Sequence, residues 1–364
     1  MSYKKRIINI VLGGDKNYSK VIGITMVSVL NNLNINTYAR FFLYTEGFSD
    51  DDINEIKKIK KKYPCEINFT DVKEYMKVFD FVEQKNFTNS WISKGSLHRL
   101  FMFKYLPDDV QECFYIDSDI IVDGDLSQIK LPDDKIFAAV PEGYAMQFRD
   151  QILAHWYNLP EFSNFVKDPL KYTHFCSGFY LANIKKAKEL NIFEQILSLL
   201  KKYPDIPYCD QDILNAIFGQ KYQELMYYLP PEYNVFADMD YSMNFDKIPF
   251  SNEVFQQAVK NPIVIHFGGV NKPWINNYCR HFFHKWWFYY LKSPWKVECI
   301  LKYTDLIIKK QAIQFIHNIV SSTKIFIKKF FKQIFSVRNE YKKNIKHKVI
   351  TILGIKIKFK ICKK

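Results

Sequence analysis

At 364 residues with 48% hydrophobic side chains, the chain can bury a full core, and it exceeds a comfortable single-domain size. Seven scattered cysteines with no Cys-x-x-Cys pair exclude a disulfide framework or a zinc site and suggest a reducing compartment. The net charge of +14 is localised: Lys296 to Lys364 holds 18 Lys or Arg against Glu298, Asp305 and Glu340, so the rest is close to neutral. No uncharged apolar stretch is long enough to span a bilayer, and the run after Lys4, Lys5 and Arg6 is too short for a signal peptide.

In chain order, Ile7 to Leu12 is a continuous apolar run ending in Gly13-Gly14, and Ser19 opens a helical pattern through Val21, Ile24, Val27, Val29 and Leu30. Between them, Asp15 and Asn17 have ordinary turn chemistry. Arg40 to Tyr44 and Glu66 to Phe69 read as strands, separated by a charged helix from Asp50 to Lys62 whose lysine run is a solvated face. Arg99 falls in the helix-like stretch Ser96 to Tyr105, where a surface arginine would be unremarkable. Alternating strands and helices imply a largely parallel α/β sheet with ligands outside the carboxyl ends of its strands.

The stretch Tyr115 to Val122 places Asp117 and Asp119 at the end of an apolar run. Residues at i and i+2 of an extended chain share a side, so both carboxylates can converge on one hard cation such as Mn²⁺ or Mg²⁺. An acidic turn is the competing reading, because Asp123 and Asp125 follow at once. A second apolar strand, Ile263 to Ile265, delivers His266, a third ligand or a hydrogen-bonded structural histidine. Gly268 and Gly269 then let the backbone approach a ligand, and Lys272 supplies a point charge suited to phosphate. Asp210-Gln211-Asp212 follows the break at Tyr203 to Pro207 and precedes the helical Ile213 to Phe218, so its acids also suit a helix N-terminus.

Five blocks in order, Ile10 to Tyr18, Leu97 to Leu100, Asp117-Ser118-Asp119, Asp210 to Asn215 and His266 to Trp274, resemble family 8 of the retaining glycosyltransferases, which includes bacterial lipopolysaccharide glucosyl- and galactosyltransferases and, more distantly, glycogenin. The resemblance spans residues 7 to about 290. It implies a GT-A-type, Rossmann-like nucleotide-sugar fold and a UDP-hexose donor, glucose or galactose, used with Mn²⁺ or alternatively Mg²⁺. It implies Asp117, Asp119 and His266 as metal ligands and a lipid-linked saccharide as acceptor. Gly13, Asp15 and Asn17 would meet the uridine, and Arg99, Asp117, Ser118, Ser177, Gly269 and Lys272 the rest of the donor. By the same resemblance Asp210 recognises sugar hydroxyls, Gln211 lies below the anomeric carbon and Asp212 supports them. Where the family has an amide, this chain has Cys176 in Phe175-Cys176-Ser177-Gly178, which reads as a small wall of the donor pocket rather than a nucleophile. A non-catalytic UDP-binding scaffold of the same fold is the alternative. Acceptor choice would rest on Phe137 to Lys171 and Pro230 to Phe250.

Residues 1–290 thus read as a catalytic domain and 291–364 as a basic amphipathic extension. In the latter Ile327, Phe330, Phe331, Ile334 and Phe335 share a face at helical spacing, with Lys324, Lys328 and Lys332 on another. That pattern suits an anionic membrane surface, ahead of packing on the domain or gripping nucleic acid, for which no fold motif exists. Trp286 to Tyr290 add aromatics suited to a headgroup boundary. The expected location is cytoplasmic, on the inner face of the membrane. Ile355 to Ile361 alternates with period two and reads as a strand pairing with Val349 to Leu353.

Overall fold

The apolar run at the amino terminus forms β1 (Arg6–Asp15), followed by α1 (Ser19–Asn32), β2 (Thr37–Glu46), α2 (Asp50–Lys57) and β3 (Cys65–Asp71). This computed structural model describes residues 6–82, 94–142, 159–168, 173–206, 208–238, 250–275, 281–302, 335–342, 345–352 and 355–360. They fall into two compact units, residues 1–296 and 297–364.

The first unit is built on a seven-stranded sheet in the order β3-β2-β1-β4-β7-β6-β8. Its remaining members are β4 (Glu112–Ile116), β6 (Phe137–Pro141), β7 (Phe175–Asn183) and β8 (Met226–Tyr228). Only β7 runs against the others, pairing antiparallel with both β4 and β6. Alternate residues enter opposite cores. Val11, Phe42 and Tyr44 pack on one face, with Leu97 to Phe103 and the helix Ile192–Lys202, whereas Ile10, Leu12, Phe41 and Leu43 meet Ile22, Met26 and Val29 of α1 on the other. Burial on both faces explains why these strands read as continuous apolar runs.

A small sheet, β5-β10-β9, completes the frame. It comprises β5 (Ile120–Val122), β9 (Val235–Phe236) and β10 (Val264–His266). The chain therefore leaves the large sheet after Ile116 and enters the small one at Ile120. Asp117-Ser118-Asp119 is the turn between them, closed by the Ile120 amide on the Asp117 carbonyl at 3.1 Å. This corrects the expectation of an extended chain at the two aspartates, because a strand cannot change sheets without turning.

Three further local readings change. The lysine run ends α2 in a 3-10 turn, Lys58–Lys61. The stretch containing Arg99 is a 3-10 helix, Lys94–Phe101, leading into Met102–Tyr105, and it buries the arginine instead of exposing it. Trp286, Trp287, Tyr289 and Tyr290 of the helix Phe283–Lys292 are buried, with Trp286 packed on Trp274 and Phe267. They fill the core of the first unit and do not face a headgroup layer; Phe288 is the exposed aromatic of that run.

In the second unit, β11 (Phe335–Lys342), β12 (Ile345–Ile352) and β13 (Ile355–Lys360) form an antiparallel meander. The alternation at Ile355 thus marks a strand, paired Ile352 to Ile355 and Ile350 to Ile357. Phe335 opens β11, and the helical stripe expected just before it lies outside the described residues.

Candidate active site and metal centre

The turn after β4 and the register of the small sheet bring three side chains together. His266 pairs with Ile120 across β10 and β5, and the Phe267 amide donates to the Asp119 carbonyl at 2.9 Å. His266 Nε2 consequently lies 3.3 Å from Asp119 Oδ1 and 3.9 Å from Asp117 Oδ2. Ligand atoms of Asp117, Asp119 and His266 all lie within 4.8 Å of one another. Gly178 of β7 stands directly opposite, its carbonyl accepting the Asp117 amide at 2.7 Å. A Cβ there would sit 2.5 Å from His266 Cε1 and 2.9 Å from Asp117 Oδ2, so only glycine leaves the cluster its room.

Two cations flank the acids. The Arg99 guanidinium, 6% exposed, donates from Nη2 to Asp117 Oδ1 at 2.8 Å and from Nη1 to Ser177 Oγ and carbonyl, while Nε pairs with Asp210 Oδ2 at 3.1 Å. It also stacks 4.6 Å over Tyr115, whose hydroxyl donates to Asp117 Oδ1. On the other side Lys272 Nζ contacts Asp119 Oδ2 and the Phe267 carbonyl. Burial favours the neutral acid at both aspartates. At Asp117 burial prevails over Arg99 and the proton affinity rises, whereas at Asp119 Lys272 and His266 outweigh it and hold the carboxyl well below the usual range. At His266 burial opposes the imidazolium, but Asp119 overrides it and pushes the group up to about 10.

The donor set fits a hard divalent cation. Two carboxylates and one imidazole, partly open to solvent and crowded enough to raise one acid's proton affinity, suit Mn²⁺ or Mg²⁺.

The remaining expected residues distribute around this centre. Ser118 Oγ donates to the Gly13 carbonyl at 2.6 Å, tying the aspartate turn to the end of β1. Asp15 accepts from the Asn17 amide and so caps a 3-10 turn. Gly269 has φ +83° with open space where a Cβ would stand. Ser177 Oγ donates to Asp210 Oδ2, and its amide donates to Gln211 Oε1 at 3.0 Å. Gln211 Nε2 in turn donates to Glu142 Oε2 at 2.9 Å. Asp212 is wholly buried, accepts from the Tyr208 amide and faces His174 Nε2 at 3.9 Å. Cys176 is buried with Sγ 3.8 Å from His266 Nδ1, and burial pushes its thiol up, so it stays protonated.

Three side chains here carried no usable signal in the sequence. Glu142 and His174, 3.0 Å apart, and Asn234 lie in irregular segments without a pattern. Tyr18 belongs to the opening loop and sets its ring edge-on to Trp274, with centroids 6.3 Å apart. Burial and then Asp119 push its hydroxyl up to about 12.

Residues 9–278 match the family described as glycosyl transferase family 8. The chain belongs to that family. Among curated relatives it is 24% identical to general stress protein A of Bacillus subtilis, over 79% of this chain and 94% of that one. It is 26% identical to lipopolysaccharide 1,2-glucosyltransferase of Escherichia coli K12, over 79% of each. The galactosyltransferase LgtC in complex with donor and acceptor sugar analogues superposes with a TM-score of 0.61 at 20% identity, covering 79% of this chain and 96% of that one. The bifunctional glycosyltransferase WbbM superposes with a TM-score of 0.64 at 22% identity, over 82% of this chain; the match spans about half, 52%, of WbbM. The family 8 chain is a glycosyltransferase of GT-A type, and its Asp117-Asp119-His266 cluster sits where β4 of the large sheet passes into β5 of the small one.

Proposed function

We propose that this family 8 enzyme transfers a hexose, glucose or galactose, from a UDP-sugar to a lipid-linked glycan of lipopolysaccharide-core type, with retention to an α-linkage. The observation that carries this is the convergence of Asp117, Asp119 and His266 beside Lys272 and Arg99. It supports a divalent cation, Mn²⁺ first, with a pyrophosphate next to it. When bound, such a cation neutralises charge developing on the departing diphosphate. Lys272 is placed to exchange its Asp119 contact for a phosphate oxygen. Tyr18 offers an aromatic face near the Gly13–Asn17 loop, where we place the uridine.

On the sugar side, Asp210 is an acceptor for donor hydroxyls, held by Arg99 and Ser177. The Gln211 amide is fixed at both ends, by the Ser177 amide and by Glu142. We place it beneath the anomeric carbon, where its dipole stabilises an oxocarbenium-like centre. Asp212 supports this helix start through Tyr208. The name of the Escherichia coli relative supports the acceptor class, and the basic C-terminal extension supports action at the inner face of the cytoplasmic membrane.

The deciding experiment incubates the full chain with MnCl₂ and UDP-glucose, UDP-galactose and other UDP-sugars, and measures free UDP with and without a truncated lipopolysaccharide core. Release with one UDP-hexose, abolished by EDTA and stimulated by the core, is expected. Absence of release with every UDP-sugar would remove the proposal.

A further inference from the structure

His266 uses both ring nitrogens. Nε2 faces the aspartates, while Nδ1 lies 3.1 Å from Asn234 Oδ1. Asn234 is 7% exposed and immediately precedes β9. Its backbone is fixed by the 3-10 turn Pro231–Tyr233, with its amide donating to the Pro231 carbonyl at 3.1 Å. The parallel register of β9 and β10 sets Phe236 beside His266; their rings stack 4.7 Å apart, and the Ala237 amide donates to the His266 carbonyl. The imidazole is thus clamped in plane by Phe236 and in rotation by the amide of Asn234.

We propose that Asn234 is the positioning residue of the metal centre: its amide oxygen accepts the Nδ1 proton of His266, which leaves the Nε2 lone pair directed at the space between Asp117 and Asp119. The inference rests on the three side chains forming a metal centre. Its physical basis is that a ligating histidine needs a partner on the nitrogen that does not ligate, to fix tautomer and ring angle. With the amide turned round, its NH₂ would hold an unprotonated Nδ1, and the proton would sit on Nε2, where it blocks coordination. Cys176 Sγ, at 3.8 Å from the same nitrogen, is the longer and softer contact.

The test is a titration of Mn²⁺ into the full chain with UDP present, following loss of the six-line electron paramagnetic resonance signal of the free ion. Asn234→Leu and the sterically undemanding Asn234→Ala should bind Mn²⁺ about 10–100-fold more weakly. Asn234→Asp, whose carboxylate can only accept, should stay within a few-fold of the parent. Thermal melts of the same variants confirm that they fold. His266→Ala serves as reference: parent-like Mn²⁺ binding in that variant would remove the metal centre itself. If His266→Ala loses the ion while both Asn234→Leu and Asn234→Ala keep it, the centre stands and the role of Asn234 falls. A loss in Cys176→Ala alone would move the role to the thiol and equally overturn the proposal.

Discussion

Arg99 and Asp117 form a partly buried ion pair, Nη2 to Oδ1 at 2.8 Å, and the same guanidinium reaches Asp210 at 3.1 Å. One planar group therefore joins Asp117 of the proposed metal centre to Asp210, which we place on the sugar side. A planar fork holds its donors at fixed spacing and angle to both acids, a geometry that a single ammonium does not reproduce. Arg99→Ala should leave the buried Asp210 and the partly buried Asp117 without their cation, at a cost of up to about 3–5 kcal/mol. For a unit of this size that is a fall in melting temperature of roughly 6–10 °C. Arg99→Lys should recover part of the stability but not the Mn²⁺ affinity, because it does not reproduce the fork's geometry towards the two acids. Differential scanning fluorimetry of the three proteins, with and without Mn²⁺ and UDP, checks both halves.

Asp119 contacts both His266 and Lys272, so its removal separates metal binding from folding. Mn²⁺ with UDP at a hundredfold excess over the dissociation constant should stabilise the parent by about 2.7 kcal/mol. Asp119→Ala should unfold cooperatively but show no such shift, and transfer should drop by at least about a hundredfold, the equivalent of roughly 2.7 kcal/mol in the barrier. Transfer at the parent's rate would count against the metal assignment.

How much of this was legible in the sequence follows from what each side chain depends on. β1, α1, β2 and β3 were readable because their apolar periodicity records local geometry and burial together. The strand at Ile355 was readable for the same reason. Asp117 and Asp119 were visible as charges in an apolar run, but their convergence comes from a turn between two sheets, which depends on pairing to residues 140 and more positions away. Arg99 looked like a surface residue because nothing local says that Asp117, Ser177 and Asp210 will close over it. The aromatic run Trp286 to Tyr290 suits an interface or a core equally well by composition; only the packing on Trp274 and Phe267 decides. Asn234, Glu142 and His174 act through partners distant in sequence, which no motif records.

His174 gives a pH signature. Burial disfavours its charged form, but Asp212 and Glu142 outweigh that and raise its proton affinity above that of an ordinary histidine. A group whose affinity is raised by folding stabilises fully below its unfolded value, about 6.5, and the contribution fades as pH climbs through the folded value. The melting-temperature gap between parent and His174→Gln should therefore be widest at pH 5.5 and should narrow towards pH 9.5. A gap that is constant with pH would mean that His174 is neutral in the fold.

The charge of the C-terminal extension predicts salt-sensitive membrane binding. Full chain should sediment with phosphatidylserine-containing vesicles at low ionic strength and remain in solution with purely zwitterionic ones. Each lysine near such a surface contributes about 1 kcal/mol, screened within a Debye length. Residues 1–296 alone, a compact unit close to neutral, should stay in the supernatant. Sedimentation of that fragment would place the membrane contact in the catalytic unit.

Gly178 is the most demanding position on β7. Its carbonyl accepts the Asp117 amide, and its own amide contacts Cys176 Sγ. Neighbouring Phe179 and Tyr180 are paired with Ile116 and Tyr115 of β4, and Tyr180 is also paired with Ala139 of β6. The strand is therefore held from both sides and cannot retreat when a methyl group is added. In Gly178→Ala that methyl would lie 2.5 Å from His266 Cε1 and 2.9 Å from Asp117 Oδ2. The imidazole is backed by the Phe236 ring, so the strain has to be relieved by moving His266 or Asp117. Overpacking of this kind costs about 1–3 kcal/mol, a modest loss for the fold as a whole. The site loses more, because a ligand displaced by a few tenths of an ångström no longer meets the distance an ion requires. Gly178→Ala should therefore melt within about 6 °C of the parent while its Mn²⁺ titration shifts by tenfold or more. Equal Mn²⁺ affinity in the two proteins would show that the cluster tolerates the methyl group and that the glycine serves the strand alone.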